Sequence, residues 1–202
     1  MTWRSKLSPA QPYRVTDPLL RIDGEVDGNE AVDNSGNGLN MTIAQGVMLS
    51  KDSPGGGRSL RAWGGTNNEA YLSVNDAALD NLTVKTFTFW IKKVSNGEAG
   101  ARIFDKNNDV FCITGATTNI YFYERWSVSG LASWRTNENI LLGGWSHVVI
   151  RHDGIAGSVP EICIDGVACT TVINNASAGV KSDDTGILYI FDRAALNAEF
   201  DG

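Results

Sequence analysis

The sequence predicts an all-β protein, a sandwich of two antiparallel sheets, and three observations predict it. Short apolar runs recur along the 202 residues, Gly- and Asn-rich turns separate them, and helical periodicity is nearly absent. Strands this numerous must stack as two sheets or close on themselves, because a flat single sheet would leave one face unpacked. At 42% hydrophobic residues the chain can fill one sandwich core without a metal or disulfides.

In order, residues 1–18 carry Pro9, Pro12 and Pro18 without sustained periodicity and read as an extended N-terminal arm, either disordered or held by a partner. The domain proper covers residues 19–202. Its first strand is expected at 19–23. The turn Asp33-Asn34-Ser35-Gly36-Asn37-Gly38 follows and then, after the glycines at 55–57, strands at 59–63 and 70–74. Residues 86–92 alternate, so that Phe87, Phe89 and Ile91 share the core face and Thr88, Trp90 and Lys92 the other. Further strands are expected at 102–104, 109–113, 120–123 and 145–150, then a hairpin turning at Asp165-Gly166 and a strand within 186–191. Residues 75–79 and 194–200 support one helical turn each.

A formal charge of −6 argues against general attraction to nucleic acid or anionic lipid. Blocks such as Ile140-Leu141-Leu142 and Val148-Val149-Ile150 are far short of the roughly 20 residues of a membrane span, so no membrane-embedded state is expected. Residues 1–9 have no apolar leader core or cleavage site, which reads as a chain made in the cytoplasm or one whose leader has been removed. Cys112, Cys163 and Cys169 form an odd set and are expected as free thiols. With a two-residue loop Cys163 would pair with Ala168, leaving the two sulfurs on opposite faces; an odd-length loop would bring them together.

The order of these pieces resembles the laminin-G-like branch of the concanavalin A-like jelly rolls. The stretch from Asp33 to Gly38 precedes the Gly-rich turn before Ser59-Leu60-Arg61. Then come Phe87-Thr88-Phe89-Trp90-Ile91, Trp145-Ser146-His147-Val148-Val149 and Ile162-Cys163-Ile164-Asp165-Gly166-Val167. No one of these is specific; their order is. The resemblance covers residues 19–202 and implies a jelly-roll sandwich. It breaks at Phe200-Asp201-Gly202, which looks like the start of a final segment that usually continues into a last strand. The expectation is that this strand is missing from the sequence or supplied by another chain through edge pairing.

The same jelly roll hosts glucanases, which need two carboxylates roughly 5 to 9 Å apart. No strand here carries a suitable cluster: Asp109 and Glu124 stand alone on their strands, and Glu98 and Glu138 fall in loop-like segments, so a non-enzymatic domain is expected. His147, between Trp145 and Val149 on one strand face, reads as a hydrogen-bonded core or subsurface residue, and His152 as solvated. Neither has zinc-ligand spacing. Calcium is the ion best matched to the Asp33–Gly38 loop, which can offer carboxylate, amide and carbonyl oxygens. The resemblance implies a Ca2+ between this loop and the final segment, recruiting Asp33, Asn37 and Asp201; the plainer alternative is a tight turn using Asn and Gly for positive φ. A sugar site would draw on Tyr121, Tyr123, Trp126 and Trp134 with Arg125, set against the tendency of strand aromatics to be core. Tyr121 and Tyr123 share one face and Ile120 and Phe122 the other, so one pair is expected to be buried.

Together with the resemblance, these readings give a first expectation of a non-enzymatic structural or adhesion module. It would be a phage virion component of the capsid-decorating or tail-associated kind, made in the host cytoplasm and assembled with copies of itself or with capsid or tail proteins. The alternative is a carbohydrate-binding lectin domain presented outside the cell, with glycans as partners. A glucanase-like hydrolase comes third.

Overall fold

The computed structural model of the chain describes residues 18–44, 46–62, 70–95, 100–114, 118–193, 195, 198 and 200–202; the expected arm, save Pro18, and Trp63 lie outside them. The described residues form two layers of antiparallel strands. The larger sheet has ten strands: β1 (Ile22–Asp27), β2 (Glu30–Asp33), β3 (Met41–Ile43), β6 (Leu72–Val74), β8 (Arg102–Lys106), β9 (Val110–Thr114), β10 (Asn119–Trp126), β11 (Gly130–Asn139), β15 (Thr171–Asn175) and β16 (Leu188–Ile190). Their order across the sheet is β1-β2-β3-β6-β16-β8-β9-β10-β11-β15. The facing layer is in two pieces. Four strands run in the order β14 (Val167–Ala168), β13 (Glu161–Ile164), β12 (Trp145–His152), β7 (Lys85–Lys92), and two more, β4 (Val47–Ser50) and β5 (Ser59–Ala62), pair with each other.

Period-2 patterning builds the core. On β10, Ile120, Phe122, Glu124 and Trp126 point between the layers and are buried, while Tyr121, Tyr123 and Arg125 face outward. Phe87 of β7 stacks on Phe104 of β8 with centroids 4.4 Å apart, and Phe122 lies 5.9 Å from Trp134 of β11, so aromatic pairs join the layers and brace the large sheet. The Asp165-Gly166 turn has φ of 52° and 80°, the two positive values that a two-residue hairpin turn needs. It pairs Cys163 with Ala168, and all three cysteines are free.

Some elements differ from expectation. The first strand starts at Ile22, and Leu19 and Leu20 pack against the core ahead of it. Asp33 ends a strand rather than opening a free loop. The turn at 75–79 is a single 3-10 turn, Ala77–Leu79, whose Asp76 side chain accepts the Ala78 N–H at 2.8 Å. Among residues 194–200, those described are not helical. β11 escapes sequence reading because its last three residues are polar and exposed, which hides its alternation; pairing with β10 and β15 holds it as a strand.

Candidate functional site

Three strands bring charge into the core. Glu124, 0% exposed, receives Lys85 Nζ at 2.5 Å on one oxygen, and His152 Nδ1 lies 3.0 Å from the other. His152 is buried at the end of β12, which corrects the expectation that it is solvated: it shares the inward face of that strand with Val148 and Ile150. His152 Nε2 in turn meets Ser158 Oγ at 3.1 Å, and Ser158 also donates to Asp153. Burial alone would push the Glu124 carboxyl up, but the His152 contact and the Lys85 charge outweigh it and hold it below its usual value. Burial also pulls the Lys85 ammonium down. This is a sealed, mutually neutralising network that ties β7, β10 and β12 together. The signal that reveals it in sequence is phase: Glu124, Lys85 and His152 each occupy the apolar face of an otherwise regular strand.

The outward face of the large sheet carries the exposed half of the predicted sugar set. Tyr121 and Tyr123 are half-buried there, their rings 6.3 Å apart and 14° from parallel. Tyr123 stacks on Phe111 at 4.4 Å, and the Arg102 guanidinium caps the other side of Phe111, 3.7 Å from its centroid. Burial raises the Tyr123 hydroxyl above its ordinary value. Arg125 continues the row and binds Asp109 Oδ1 at 2.7 Å, with Arg135 opposite Tyr121. Trp126 and Trp134 do not belong to this surface. They lie on the inward faces of β10 and β11, 2% and 0% exposed, so neither serves as a platform for a ring stacked from solvent.

The Asp33 loop is built around its carboxylate. Oδ1 accepts the backbone N–H groups of Arg21 at 3.0 Å and Ser35 at 2.9 Å; Oδ2 accepts Ser35 Oγ at 2.7 Å and the Leu39 N–H at 2.9 Å. Asn37 Nδ2 donates to the carbonyls of Pro18 at 3.3 Å and Leu19 at 3.0 Å, closing the loop onto the start of the domain. The Asp201 backbone carbonyl accepts the Val94 N–H at 3.0 Å. With its four acceptor positions filled by protein donors, Asp33 as placed fits a turn and not a Ca2+ ligand. No group of three or more His, Cys, Asp or Glu able to hold a metal ion occurs among the described residues.

At one end of the sandwich a cleft of about 350 Å³ is lined by Asn81, Thr83, Trp126, Gly154 and residues 179–183. Its walls are pinned by reciprocal contacts: Asn81 N–H donates to Asp184 Oδ1 at 2.5 Å and Asp184 N–H to Asn81 Oδ1 at 2.9 Å. Asp183 is the carboxylate among these lining residues; Asp109, Glu124 and Glu138, weighed above for hydrolysis, are not among them.

A laminin-G family model, described as the concanavalin A-like lectin/glucanases superfamily, matches residues 64–202. The chain belongs to this superfamily. The jelly-roll expectation therefore holds. Among solved structures, the chain is similar to the botulinum neurotoxin serotype G binding domain, at 14% identity and a TM-score of 0.54 over 84% of this chain and 44% of that one. The chain thus spans less than half the length of that domain. It is also similar to the native heptameric SAP-like pentraxin from Limulus polyphemus, at 15% identity and a TM-score of 0.46 over 70% of each chain. No curated protein matches it. At 14% identity the likeness to the neurotoxin binding domain is one of fold and nothing finer.

Proposed function

We propose that this domain is a non-enzymatic adhesion module of a multi-chain particle: a phage virion component of the capsid-decorating or tail-associated kind, attached to the particle through the outward face of the large sheet. The observation that carries this reading is the division of labour across β10. Its inward carboxylate, Glu124, is 0% exposed and engaged by Lys85 and His152. Its outward residues, Tyr121, Tyr123 and Arg125, form a rigid aromatic row edged with hydroxyl and guanidinium groups. Pre-ordered tyrosines lose little conformational freedom on binding, which suits a contact surface. Arginines interspersed with the row extend hydrogen-bonding reach toward a protein or a glycan.

The test is co-sedimentation of the purified protein with phage particles, run beside a reducing-sugar assay on a polysaccharide panel. Saturable attachment to particles and no product release is the expected result. Release of reducing ends would overturn the non-enzymatic reading, and glycan binding without any particle attachment would replace the virion role with that of a lectin. Removal of residues 1–18 is expected to weaken attachment while leaving the sandwich folded.

A further inference from the structure

Trp90 is the one exposed Phe, Tyr or Trp side chain among the described residues, at 49%. It stands on the outer face of β7, on the opposite side of the sandwich from the large sheet. β12 lies beside it in register, with His147 opposite Trp90 and Trp145 opposite Lys92. The His147 ring props one side of the indole, centroids 5.0 Å apart and 40° from parallel. His147 is itself held: Nε2 lies 2.9 Å from Thr88 Oγ1, and the backbone N–H donates to Asp165 Oδ1 at 2.8 Å. Asp165 returns the contact, its N–H donating to the His147 carbonyl at 2.8 Å. The order across three strands is therefore Trp90, His147, Asp165, which at two strand spacings sets the outer positions about 10 Å apart along the backbone. The hydrogen-bonding groups on the other side of the indole are spent, because Lys92 Nζ and Trp145 Nε1 both donate to the Asp52 carboxylate, at 2.5 and 2.9 Å. What stays open is an indole face and Asp165 Oδ2, on an exposed carboxylate that no basic side chain pairs among the described residues. Burial lowers the His147 imidazole, and the Asp165 charge acts on the same ring in the opposite direction, so its field reaches the space beside Trp90. An indole face attracts a cation and a carboxylate accepts hydrogen bonds without donating any, so both select a positively charged donor.

We propose that this face of the four-stranded sheet takes an arginine side chain of a partner protein, its guanidinium laid on the Trp90 indole with Asp165 as counter-ion. Arginine fits better than lysine, because a planar guanidinium stacks on a ring and keeps its edge N–H groups for a carboxylate. The chain's formal charge of −6 favours the approach of a basic partner. The supports are rigid: Asp165 is fixed at the tip of its hairpin by two backbone contacts to β12, and the indole rests on His147. A pre-ordered tryptophan beside a desolvating neighbour is the usual anchor of a protein contact. The site lies on the face opposite the one assigned to particle attachment and does not depend on that reading.

The test titrates the blocked peptide acetyl-Gly-Arg-Gly-amide into the full chain while the indole N–H signals are followed by two-dimensional NMR. The Trp90→Leu variant identifies which signal belongs to Trp90. A saturable shift of that signal is the expected result. Acetyl-Gly-citrulline-Gly-amide, of the same shape without the charge, should bind at least tenfold more weakly. Asp165→Asn keeps the hairpin, since Asn accepts the positive φ of 52° and still offers an oxygen to the His147 N–H, and should weaken the arginine peptide at least threefold. An unmoved Trp90 signal, equal binding of the citrulline peptide, or unchanged affinity in Asp165→Asn would overturn the proposal. A tighter saturable shift of the same signal by methyl α-glucoside would also overturn it, making Trp90 a sugar platform.

Discussion

Replacing Asp33 by Asn tests whether the loop is held by its carboxylate. The side chain is 7% exposed and accepts four hydrogen bonds, which hold its carboxyl at about 2 against an ordinary 3.8. Burial by itself would raise it; the N–H groups of Arg21, Ser35 and Leu39 outweigh that cost. A carboxyl held low in the folded state stabilises it fully above the unfolded value, and the contribution drains away as pH falls toward 2. At 1.36 kcal/mol per unit the displacement corresponds to about 2 kcal/mol. Urea unfolding at pH 6 is therefore expected to show Asp33→Asn less stable by about 1–3 kcal/mol, since an amide N–H₂ would face the Leu39 and Ser35 donors. At pH 2 the deficit should shrink to a few tenths. A deficit independent of pH, or none at pH 6, would refute the reasoning. Adding millimolar calcium should leave the midpoint unchanged, and a stabilisation that Asp33→Asn abolishes would restore the metal reading.

Other consequences are equally direct. Glu124→Leu leaves Lys85 and His152 buried without their shared anion and should cost about 3–5 kcal/mol by denaturant titration; a loss below 1 kcal/mol would show that the network is dispensable. Gly154 has φ of +70°, and a Cβ there would stand 2.5 Å from the Thr83 carbonyl, so Gly154→Ala should lower stability by roughly 2 kcal/mol or more in a thermal melt. Burial and then the neighbouring Glu138 push the Cys169 thiol up to about 12, and burial pushes Cys112 higher still. A thiol reagent at pH 8 should accordingly label the native protein slowly and the unfolded protein at three sites, whereas two fewer would mean a disulfide.

The fold was legible in turn chemistry and alternation: the Asp-Gly hairpin, the face assignments on β7 and the division of Tyr121 and Tyr123 from Ile120 and Phe122 all follow from period 2. The first strands and β11 were not, because their stability comes from neighbours across the sheet more than from their own patterning. At the candidate site, the buried tryptophans show the limit of composition. Trp126 and Trp134 are chemically suited to sugars, and only the face they occupy removes them from solvent. Glu124 looked isolated in sequence because its partners are 39 and 28 residues away, on different strands.

The central claim, that the outward face of the large sheet is the adhesion surface, is tested most directly by attachment of a Tyr121→Ala/Tyr123→Ala variant to phage particles, with folding checked by circular dichroism. The expected result is a folded protein whose attachment falls at least tenfold. A folded variant that attaches as tightly as the parent would contradict it.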